Sequence, residues 1–455
     1  MDFKNKCVTI IGLSGSGFSA AKFLKMQKAK VRISDMRDTS DIKDKLLLLG
    51  NVEYEIGSHT KSFIQKSDIV VISPGVPLNA DPVKWADEKG IPVIGELELG
   101  TMFCPAPIIA VTGTNGKSTT VTLIHEILRA NNIKSFLLGN IGTPICEEIP
   151  DISRDSIISL EVSSFQLETI RTFRPKVAVY LNLTQDHLDR YNDMDEYAKA
   201  KLRIFENQKS SDYAVLNHDD AAVRSLGSRI KPQVFYFSMQ RKVKGAYLEG
   251  ERLMLDTGSG PAEICTRRDI KLAGEHNVEN TLAAALAVRL LNKDARIAPV
   301  MKTFAGLNHR FELIAEDAGI KYIDDSKGTT VDSTVKALKS LRGNVILIAG
   351  GRDKGSDYSF LRDEAGKIKC AILIGEARDK IKACFAGLAI SAKEAKTMKE
   401  AVSLARQSAG KGDTILLSPM CSSFDMFKDY KDRGEAFRAA VFDELRKSPV
   451  MHCAG

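Results

Sequence analysis

Residues 111–119 read Val-Thr-Gly-Thr-Asn-Gly-Lys-Ser-Thr, and this stretch decides the fold. An apolar run at 107–111 leads into it, and a helical pattern with Val121, Ile124 and Leu128 on one face follows it. A glycine turn between a strand and a helix presents backbone N–H groups and the positive end of the helix dipole to an anion. The sequence therefore predicts a loop that binds the phosphates of a nucleoside triphosphate.

This loop departs from the standard P-loop at one position, because residue 111 is valine where the pattern has glycine. The remaining residues keep their expected roles. We expect Lys117 to reach the β- and γ-phosphates and Ser118 to bind Mg²⁺. The residues expected to bind the triphosphate of ATP are Gly113, Thr114, Asn115, Gly116, Lys117, Ser118 and Thr119.

A second glycine turn lies near the N-terminus, after an apolar strand at 7–11. It reads Gly-Leu-Ser-Gly-Ser-Gly at 12–17, opens a helix predicted to run to Lys28, and is followed by a strand at 31–34 that ends at Asp35. This order is typical of a nucleotide-binding βαβ unit. A dehydrogenase would use Asp35 for the ribose of NAD, but hydride transfer needs no triphosphate, so the loop at 111–119 argues against that class.

A third α/β pattern follows residue 306, with apolar strands at 344–349, 371–374 and 414–417 between helical stretches. Alternating strands and helices favour mostly parallel sheets. We predict an α/β protein of three domains: a Rossmann-like domain at 1–95, a central P-loop ATPase-like domain at 96–306 and a Rossmann-like C-terminal domain at 307–455.

Composition narrows the class of protein. The net charge of +7 is spread over alternating acidic and basic residues without a basic stripe, so we expect no nucleic-acid partner. The longest apolar runs have the length of strands, which predicts no membrane insertion. The N-terminus shows no secretory signal, and the eight cysteines show no paired spacing that suits a metal site. We expect a cytoplasmic monomer with free thiols.

Two polar residues follow apolar strands in the central region. Glu161 comes after the strand at 156–160, and His187 follows the strand at 177–181. Taken singly, Glu161 is equally explained as a surface charge and His187 as a core or loop histidine. Since ligands bind at the carboxyl ends of strands in open parallel sheets, the two residues together with the phosphate loop indicate a site.

The Gly-Thr-Asn-Gly-Lys-Ser-Thr form of the loop resembles the Mur ligase family and the related folylpolyglutamate synthetases. The resemblance implies that Glu161 and His187 bind Mg²⁺ together with Ser118. It also implies that Lys201, which by its sequence alone is one more lysine of a helix surface, is carbamylated and binds a second Mg²⁺. ATP and Mg²⁺ are the implied cosubstrate and cofactor.

The resemblance also assigns residues to the nucleotide. Asn277 and Asn280, spaced to lie on one helix face, are implied to contact ATP, and Asp325 its ribose, although Asp325 would otherwise be explained as a turn residue or helix cap. Arg310 is implied to face the phosphates beside His309. The implied catalytic residues are Lys117, His187, Lys201, His309 and Arg310.

The stretch at 417–434 is similar to that of the family members that add D-glutamate, and the Asp-Asn-Pro-Arg motif of the members that add diaminopimelate or lysine is absent. The resemblance thus implies ATP-dependent ligation of D-glutamate to UDP-N-acetylmuramoyl-L-alanine through an acyl phosphate. The residues implied at D-glutamate are Lys327, Thr329, Lys354, Ser423, Phe424 and Tyr430. Those implied at the UDP substrate are Ser14, Gly15, Ser16, Asp35, Arg37, Ser73, Pro74, Gly75, Asn140, Ser163 and Gln166.

Three alternatives remain open on the sequence. A folylpolyglutamate synthetase-type ligase would share the central domain but lack the UDP-binding domain, and another Mur ligase would add a different amino acid. A nucleotide-binding scaffold without catalysis would be expected to lose Lys117, Glu161 or His187, all of which are present.

Overall fold

The computed structural model describes residues 2–186, 190–272 and 274–447. Its described strands form three β-sheets of five, nine and six strands. The chain divides into two compact units. The first comprises the residues up to 183 with 195–269 and 279–302, and the second comprises 184–194, 270–278 and the residues from 303 onward.

The N-terminal sheet is parallel throughout, with the strand order β3-β2-β1-β4-β5. Its central strand is buried on both faces, as expected for a parallel strand covered by helices. The first helix ends at Met26 rather than at Lys28, because Lys28 has a φ of +60° that no helix continues through. The elements are β1 Cys7–Ile11, α1 Gly15–Met26, β2 Lys30–Asp35, α2 Ser40–Leu49, β3 Glu53–Ile56, α3 Lys61–Ile64, β4 Ile69–Ile72, α4 Asp81–Glu88 and β5 Val93–Gly95.

The nine-stranded sheet has the order β14-β13-β12-β11-β10-β9-β6-β8-β7. It is parallel from β7 to β12 and antiparallel in the hairpins β12–β13–β14, which the sequence reading did not foresee. Glu161 is the last residue of β8 rather than the first beyond it. The elements are α5 Glu96–Thr101, β6 Ile108–Thr112, α6 Lys117–Ala130, β7 Ser135–Gly139, α7 Ile145–Glu148, β8 Ile157–Glu161, α8 Ser164–Leu167, β9 Val177–Tyr180, α9 Met194–Leu202, β10 Tyr213–Asn217, α10 Ala221–Ser225, β11 Gln233–Ser238, β12 Gly245–Glu249, β13 Arg252–Asp256, β14 Ala262–Thr266, α11 Glu275–Leu291 and α12 Ala298–Thr303.

The six-stranded sheet has the order β15-β16-β20-β17-β18-β19 and is parallel except for its edge strand β15. Strand β17, which reads Val-Ile-Leu-Ile-Ala-Gly, is buried along its whole length between helices on both faces. The elements are β15 Glu312–Asp317, β16 Ile320–Asp324, α13 Val331–Ser340, β17 Val345–Gly350, β18 Ile368–Ile374, α14 Arg378–Cys384, β19 Ser391–Glu394, α15 Met398–Ser408, β20 Thr414–Leu417 and α16 Tyr430–Lys447.

The predicted α/β class with mostly parallel sheets is confirmed. The exact domain boundaries, after residues 95 and 306, stay predictions. No helix in the described ranges combines the length and the apolar character that a bilayer crossing requires. The seven cysteines that the structure describes are free thiols.

Candidate functional site

The phosphate loop joins β6 to α6, and two of its glycines adopt conformations that other residues rarely take. Gly113 has a φ of +146° and Gly116 a φ of +84°. A Cβ atom on Gly116 would also collide with the side-chain oxygen of Asn280, which lies against the loop. Asn280 in turn accepts a hydrogen bond from Thr120 at 3.3 Å. The loop is therefore shaped by backbone geometry and by an asparagine distant in sequence.

Asn182, which the sequence reading did not assign to the site, clamps the same loop. Its backbone oxygen accepts from the Thr114 N–H at 3.0 Å, and its side-chain oxygen accepts from the Asn115 N–H at 2.8 Å. Its side-chain amide donates back to the Asn115 carbonyl at 3.1 Å. The feature that could have identified Asn182 is its position just beyond β9, beside the carboxyl end of β6.

Lys117 and Ser118 begin α6, at the helix end that attracts anions. The Lys117 amine donates to the carbonyls of Gly113 and Thr114 at 3.0 and 2.8 Å, so it lies over the loop. The Ser118 hydroxyl donates to Glu161 Oε2 at 2.5 Å. The structure thus brings the predicted phosphate-binding and metal-binding side chains to one edge of the sheet.

Glu161 is 2% exposed and anchors a small polar cluster. Its second oxygen accepts from the Asn140 amide at 2.7 Å, which places a residue predicted for the UDP substrate next to the predicted metal ligands. Magnesium prefers oxygen ligands, and the adjacent hydroxyl and carboxylate are a donor set that fits it. His187, the other predicted ligand, lies outside the described residues.

Lys201 is 1% exposed at the end of α9, so it is not a surface lysine. Its amine donates to the Gly113 carbonyl at 2.9 Å and lies 4.6 Å from the centre of the Tyr197 ring. The helix therefore delivers this lysine to the phosphate loop, in the same unit as Ser118 and Glu161.

The residues of the second unit that are predicted to contact the nucleotide are held by hydrogen bonds. His309, 4% exposed and at a φ of +63°, contacts Asp324 Oδ2 through Nδ1 at 2.7 Å. Asp325 accepts from the Ser418 hydroxyl at 2.8 Å and from the Phe311 N–H at 3.2 Å. Burial raises the pKa of Asp325 to about 7. Asn277, also buried, belongs to this unit, whereas Asn280 and the phosphate loop belong to the first.

The residues predicted at D-glutamate belong to the second unit, where Tyr430 begins α16 and the others lie on loops. Lys354 forms an ion pair of 2.6 Å with Asp186, in which both side chains are about 10% exposed. The Lys327 amine lies 4.0 Å from the centre of the Tyr430 ring. Ser423 is buried, whereas Phe424 is 63% exposed. Sequence reasoning did not assign Asp186 to the site, although it precedes the predicted ligand His187.

Arg433 is a further residue that sequence reasoning missed. It is 1% exposed and donates to the Ser326 hydroxyl at 3.0 Å, the Ser326 carbonyl at 2.8 Å and the Cys421 carbonyl at 3.1 Å. These bonds tie the loop of Lys327 to the loop of Ser423. The sequence gives little indication that Arg433 is buried, because an arginine in a charged helix pattern is usually exposed.

A cavity of about 680 Å³ lies beside the N-terminal glycine turn. Five residues predicted for the UDP substrate line it: Ser14, Asp35, Arg37, Ser73 and Gly75. Gly15 and Ser16 begin α1, and a Cβ on Gly17 would collide with the Gly12 carbonyl, so the turn requires glycine there. The Ser73 hydroxyl fixes the turn by donating to the same carbonyl at 2.7 Å.

The remaining UDP-substrate candidates lie elsewhere in the first unit. Ser163 and Gln166 form a capping box at the start of α8, and Pro74 and Gln166 line a small hollow near Glu96. The structure therefore does not bring these residues into the cavity beside the glycine turn.

Comparison with known proteins covers nearly the whole chain. Three family models match: "Mur ligase MurD-like, N-terminal domain" at 6–95, "Mur ligase middle domain" at 111–288 and "Mur ligase, glutamate ligase domain" at 309–421. A protein of Geotalea daltonii is 43% identical over 97% of this chain and 98% of its own length, and one of Koribacter versatilis is 42% identical over the same shares. Both are named UDP-N-acetylmuramoylalanine–D-glutamate ligase.

Solved structures of similar fold include a pseudomurein peptide ligase type C from Methanothermus fervidus, with a TM-score of 0.61 and 20% identity. A UDP-N-acetylmuramate–alanine ligase from Thermotoga maritima has a TM-score of 0.61 and 18% identity. Each similarity covers 97% of this chain and 100% of the other. At such identities these two structures are evidence for the fold alone.

Proposed function

The chain belongs to the Mur ligase family, and from this premise we propose that it joins D-glutamate to UDP-N-acetylmuramoyl-L-alanine at the expense of ATP. It is an ATP-dependent, amide-bond-forming ligase of peptidoglycan precursor synthesis. We propose D-glutamate as the added amino acid because the chain is 43% identical, over 97% of its length, to a protein named as a D-glutamate ligase.

The reaction needs an activated carboxyl group, because a carboxylate is a poor electrophile towards an amine at neutral pH. A carboxylate oxygen of the alanyl group attacks the γ-phosphorus of ATP, and the bond from that phosphorus to the bridging oxygen breaks to release ADP. The D-glutamate amine then attacks the acyl carbon, phosphate departs with its oxygen, and the amine loses a proton.

The phosphate loop supports the first step by position and charge. Lys117 exchanges its bonds to the Gly113 and Thr114 carbonyls for the phosphates of ATP, and the first turn of α6 offers N–H groups to the same anion. Arg310 and His309 are proposed to neutralise the charge that develops on the transferred group. Asn277, Asn280 and Asp325 are proposed to hold the nucleoside.

Mg²⁺ would be held by Ser118 and Glu161, with His187 as a proposed further ligand, and would neutralise phosphate charge when bound. The fit rests on the buried hydroxyl–carboxylate pair of Ser118 and Glu161. A second ion is proposed at Lys201 in its carbamylated form, since a carbamate offers an anionic oxygen where the free amine offers none.

The incoming amino acid is proposed to bind in the second unit, at segments that carry cationic and hydroxyl side chains. Lys327, Lys354, Thr329 and Ser423 are suited to two carboxylates. Asp186, already paired with Lys354 at 2.6 Å, adds a carboxylate that suits the ammonium group of the same amino acid. A site with charges of both signs matches the zwitterion that must lose a proton before it attacks.

The test is phosphate release from ATP by the purified protein with UDP-N-acetylmuramoyl-L-alanine, with and without D-glutamate, and with products identified by mass. We expect a D-glutamate-dependent product that carries one added glutamyl unit. Activity with a folate and L-glutamate instead would assign the chain to the folylpolyglutamate synthetase class, and a product with another amino acid would assign it to a different Mur ligase activity.

The variant Lys117→Ala tests the role of the phosphate loop. It removes the positive charge at the loop and leaves the N-terminal cavity intact. It is expected to slow turnover about 100- to 1000-fold, in line with the loss of one preorganised donor to a developing charge, while UDP binding stays unchanged. Turnover at the wild-type rate would refute the role of this loop. The cytoplasmic location and the monomeric state stay predictions.

A further inference from the structure

The imidazole ring of His309 lies in a socket formed by Asp324, Tyr430 and Gly434, all in the second unit. His309 is 4% exposed, although it belongs to the loop that precedes β15. Its backbone has a φ of +63°, in the left-handed region. A residue other than glycine keeps this conformation only when its surroundings hold it there. The contacts of His309 show what holds it.

The backbone of His309 is fixed on both sides. Its N–H donates to Glu312 Oε2 at 3.0 Å, and its carbonyl accepts from the Lys327 N–H, also at 3.0 Å. Glu312 is held in turn by Arg438 of α16 at 2.7 Å. The loop before β15 is therefore tied to α16 and to the loop that follows β16.

Asp324, the last residue of β16, anchors the ring. Its side chain is fully buried, and its Oδ2 lies 2.7 Å from His309 Nδ1. Its Oδ1 accepts from the Ser326 N–H at 2.9 Å, which fixes the plane of the carboxyl group. An ionised carboxylate can only accept, so the contact with the ring is a bond from Nδ1–H to Oδ2. Nδ1 is therefore the anchored nitrogen of the imidazole.

The other ring nitrogen faces an exposed side chain. His309 Nε2 lies 3.4 Å from Glu435 Oε1, and the Glu435 side chain is 61% exposed. The Tyr430 ring meets the imidazole edge to face, with centroids 6.5 Å apart. A long contact with an exposed carboxylate contributes little, whereas the bond to the buried Asp324 is kept. Nε2 is therefore the nitrogen that a ligand can engage.

Gly434 provides the room for the ring. It lies inside α16, where glycine weakens a helix relative to alanine, and its own φ is not positive. A Cβ atom on Gly434 would collide with His309 Nδ1 and lie 2.7 and 2.8 Å from Cγ and Cε1. The ring, and not the helix backbone, therefore requires glycine at this position.

We propose that Asp324 is a positioning residue for the ligation: it holds the His309 ring beside Gly434 so that Nε2 meets the transferred phosphoryl group. This inference rests on the proposed function, in which His309 neutralises charge on that group. Asp324 acts only through the imidazole. A ring without this anchor would adopt other rotamers and present Nε2 in the productive orientation for a smaller fraction of the time.

Asp324→Ala removes the anchor, and phosphate release with all three substrates measures kcat. We expect kcat to fall about 10- to 100-fold while the KM for UDP-N-acetylmuramoyl-L-alanine stays unchanged, because the lost interaction forms only in the transition state. Asp324→Asn has the same shape and still hydrogen-bonds the ring, so its kcat should stay within about threefold of wild type. A wild-type kcat in Asp324→Ala, or an Asp324→Asn variant as slow as Asp324→Ala, would overturn the proposal.

The same substitution in a His309→Ala background separates positioning from a general structural defect. If Asp324 acts through the ring, Asp324→Ala has no further effect on kcat once the ring is absent, and the two effects are not additive. A structural defect lowers kcat by the same factor in both backgrounds. That additive result would contradict the positioning role.

The matched control is Asp413→Ala. Asp413 is also buried and accepts from the Gly410 N–H at 2.8 Å and from Lys369 at 2.7 Å, but it precedes β20 and has no contact with His309. This variant should lose stability and keep kcat. A fall in kcat as large as that of Asp324→Ala would show that any lost buried carboxylate in this unit slows the reaction, and the proposal would fail.

Gly434→Ala tests the socket without turnover. In the wild-type background its methyl group meets the ring and should lower the midpoint of thermal unfolding by about 2–4 °C. In the His309→Ala background the space is open, so the helix preference for alanine should raise the midpoint instead. Gly366→Ala is the control, because a Cβ there meets nothing within 4 Å, and it should act alike in both backgrounds. A change of the same sign for Gly434→Ala in both backgrounds would rule out the socket.

Failure of this inference is distinguishable from failure of the proposed function. The unfolding measurements need no substrate. If the protein ligates D-glutamate and Asp324→Ala keeps the wild-type kcat, the positioning role alone is lost. If Gly434→Ala changes sign between the two backgrounds but no D-glutamate-dependent product forms, the socket stands and the proposed reaction is lost.

Discussion

Lys201 illustrates how burial changes the meaning of a residue. In the sequence it is one of several lysines in a helical pattern, yet its side chain is 1% exposed and reaches the Gly113 carbonyl at 2.9 Å. Lysines are rarely buried to this degree unless they are paired or modified. Carbamylation joins the neutral amine to CO₂, releases one proton and leaves an anionic group that can bind a metal.

We predict that wild-type protein in isotope-labelled bicarbonate shows a carbamate carbon signal and a mass increase of one CO₂. Lys201→Arg keeps a positive charge but cannot be carbamylated, so it should lose both signals and turn over about 100-fold more slowly. Lys199→Arg, at an exposed position of the same helix, should behave as wild type. A labelled signal that persists in Lys201→Arg would contradict the assignment.

At the scale of elements, two buried carboxylates tie the short helix α5 to α7 and to the turn at 171–173. Glu96 accepts from the Cys146 N–H at 2.8 Å, at the start of α7. Glu98, 1% exposed, accepts from the N–H groups of Arg171, Thr172 and Phe173 and from the Thr172 hydroxyl, at 2.5 to 3.0 Å. The bonds to Glu98 give three consecutive backbone N–H groups of this turn their acceptor.

Glu98→Ala is predicted to destabilise the protein by about 2–4 kcal/mol, because it leaves the N–H groups of residues 171–173, among them that of the buried Phe173, without their acceptor. Denaturant unfolding followed by circular dichroism measures the change in free energy of unfolding. Glu88→Ala is the matched control: it removes a half-exposed ion pair with Lys61 and should change stability by less than about 0.5 kcal/mol. Equal effects of the two substitutions would refute the anchoring role of Glu98.

At the scale of the whole molecule, each unit contains a buried carboxyl group that titrates near neutrality. Burial raises the pKa of Glu96 in the first unit to about 7, and that of Asp325 in the second unit to about 7. A folded-state pKa above the unfolded value means that the folded protein holds the proton more tightly. The resulting stability is present below about pH 4 and is lost as the pH rises through 7.

Glu96→Gln and Asp325→Asn replace the ionisable groups with permanently neutral ones. We predict that the stability of each variant relative to wild type increases by about 1–3 kcal/mol between pH 5 and pH 8. Thermal unfolding at a series of pH values measures this difference, and comparison with wild type at each pH cancels the contributions of other groups. A difference that is constant with pH would show that these carboxyls do not titrate in this range.

The sequence by itself determined the α/β class, the phosphate loop and the family, because these depend on patterns that are local in the chain. Glycines at 113 and 116, a lysine and a hydroxyl after them, and alternating strands and helices are readable without coordinates. The edge hairpins at 245–266 were missed, since short antiparallel strands carry a weaker periodic signal than helices.

Only the tertiary structure decided which distant side chains act together. Asn182 clamps a loop 67 residues away, Ser34 contacts His59 across 25 residues, and Glu98 satisfies a turn more than 70 residues further on. Burial, which distinguishes Lys201 from the exposed lysines of its helix, depends on what the rest of the chain packs against the side chain. Residue spacing cannot reveal such pairings, because hydrogen bonds and desolvation depend on distance in space rather than along the chain.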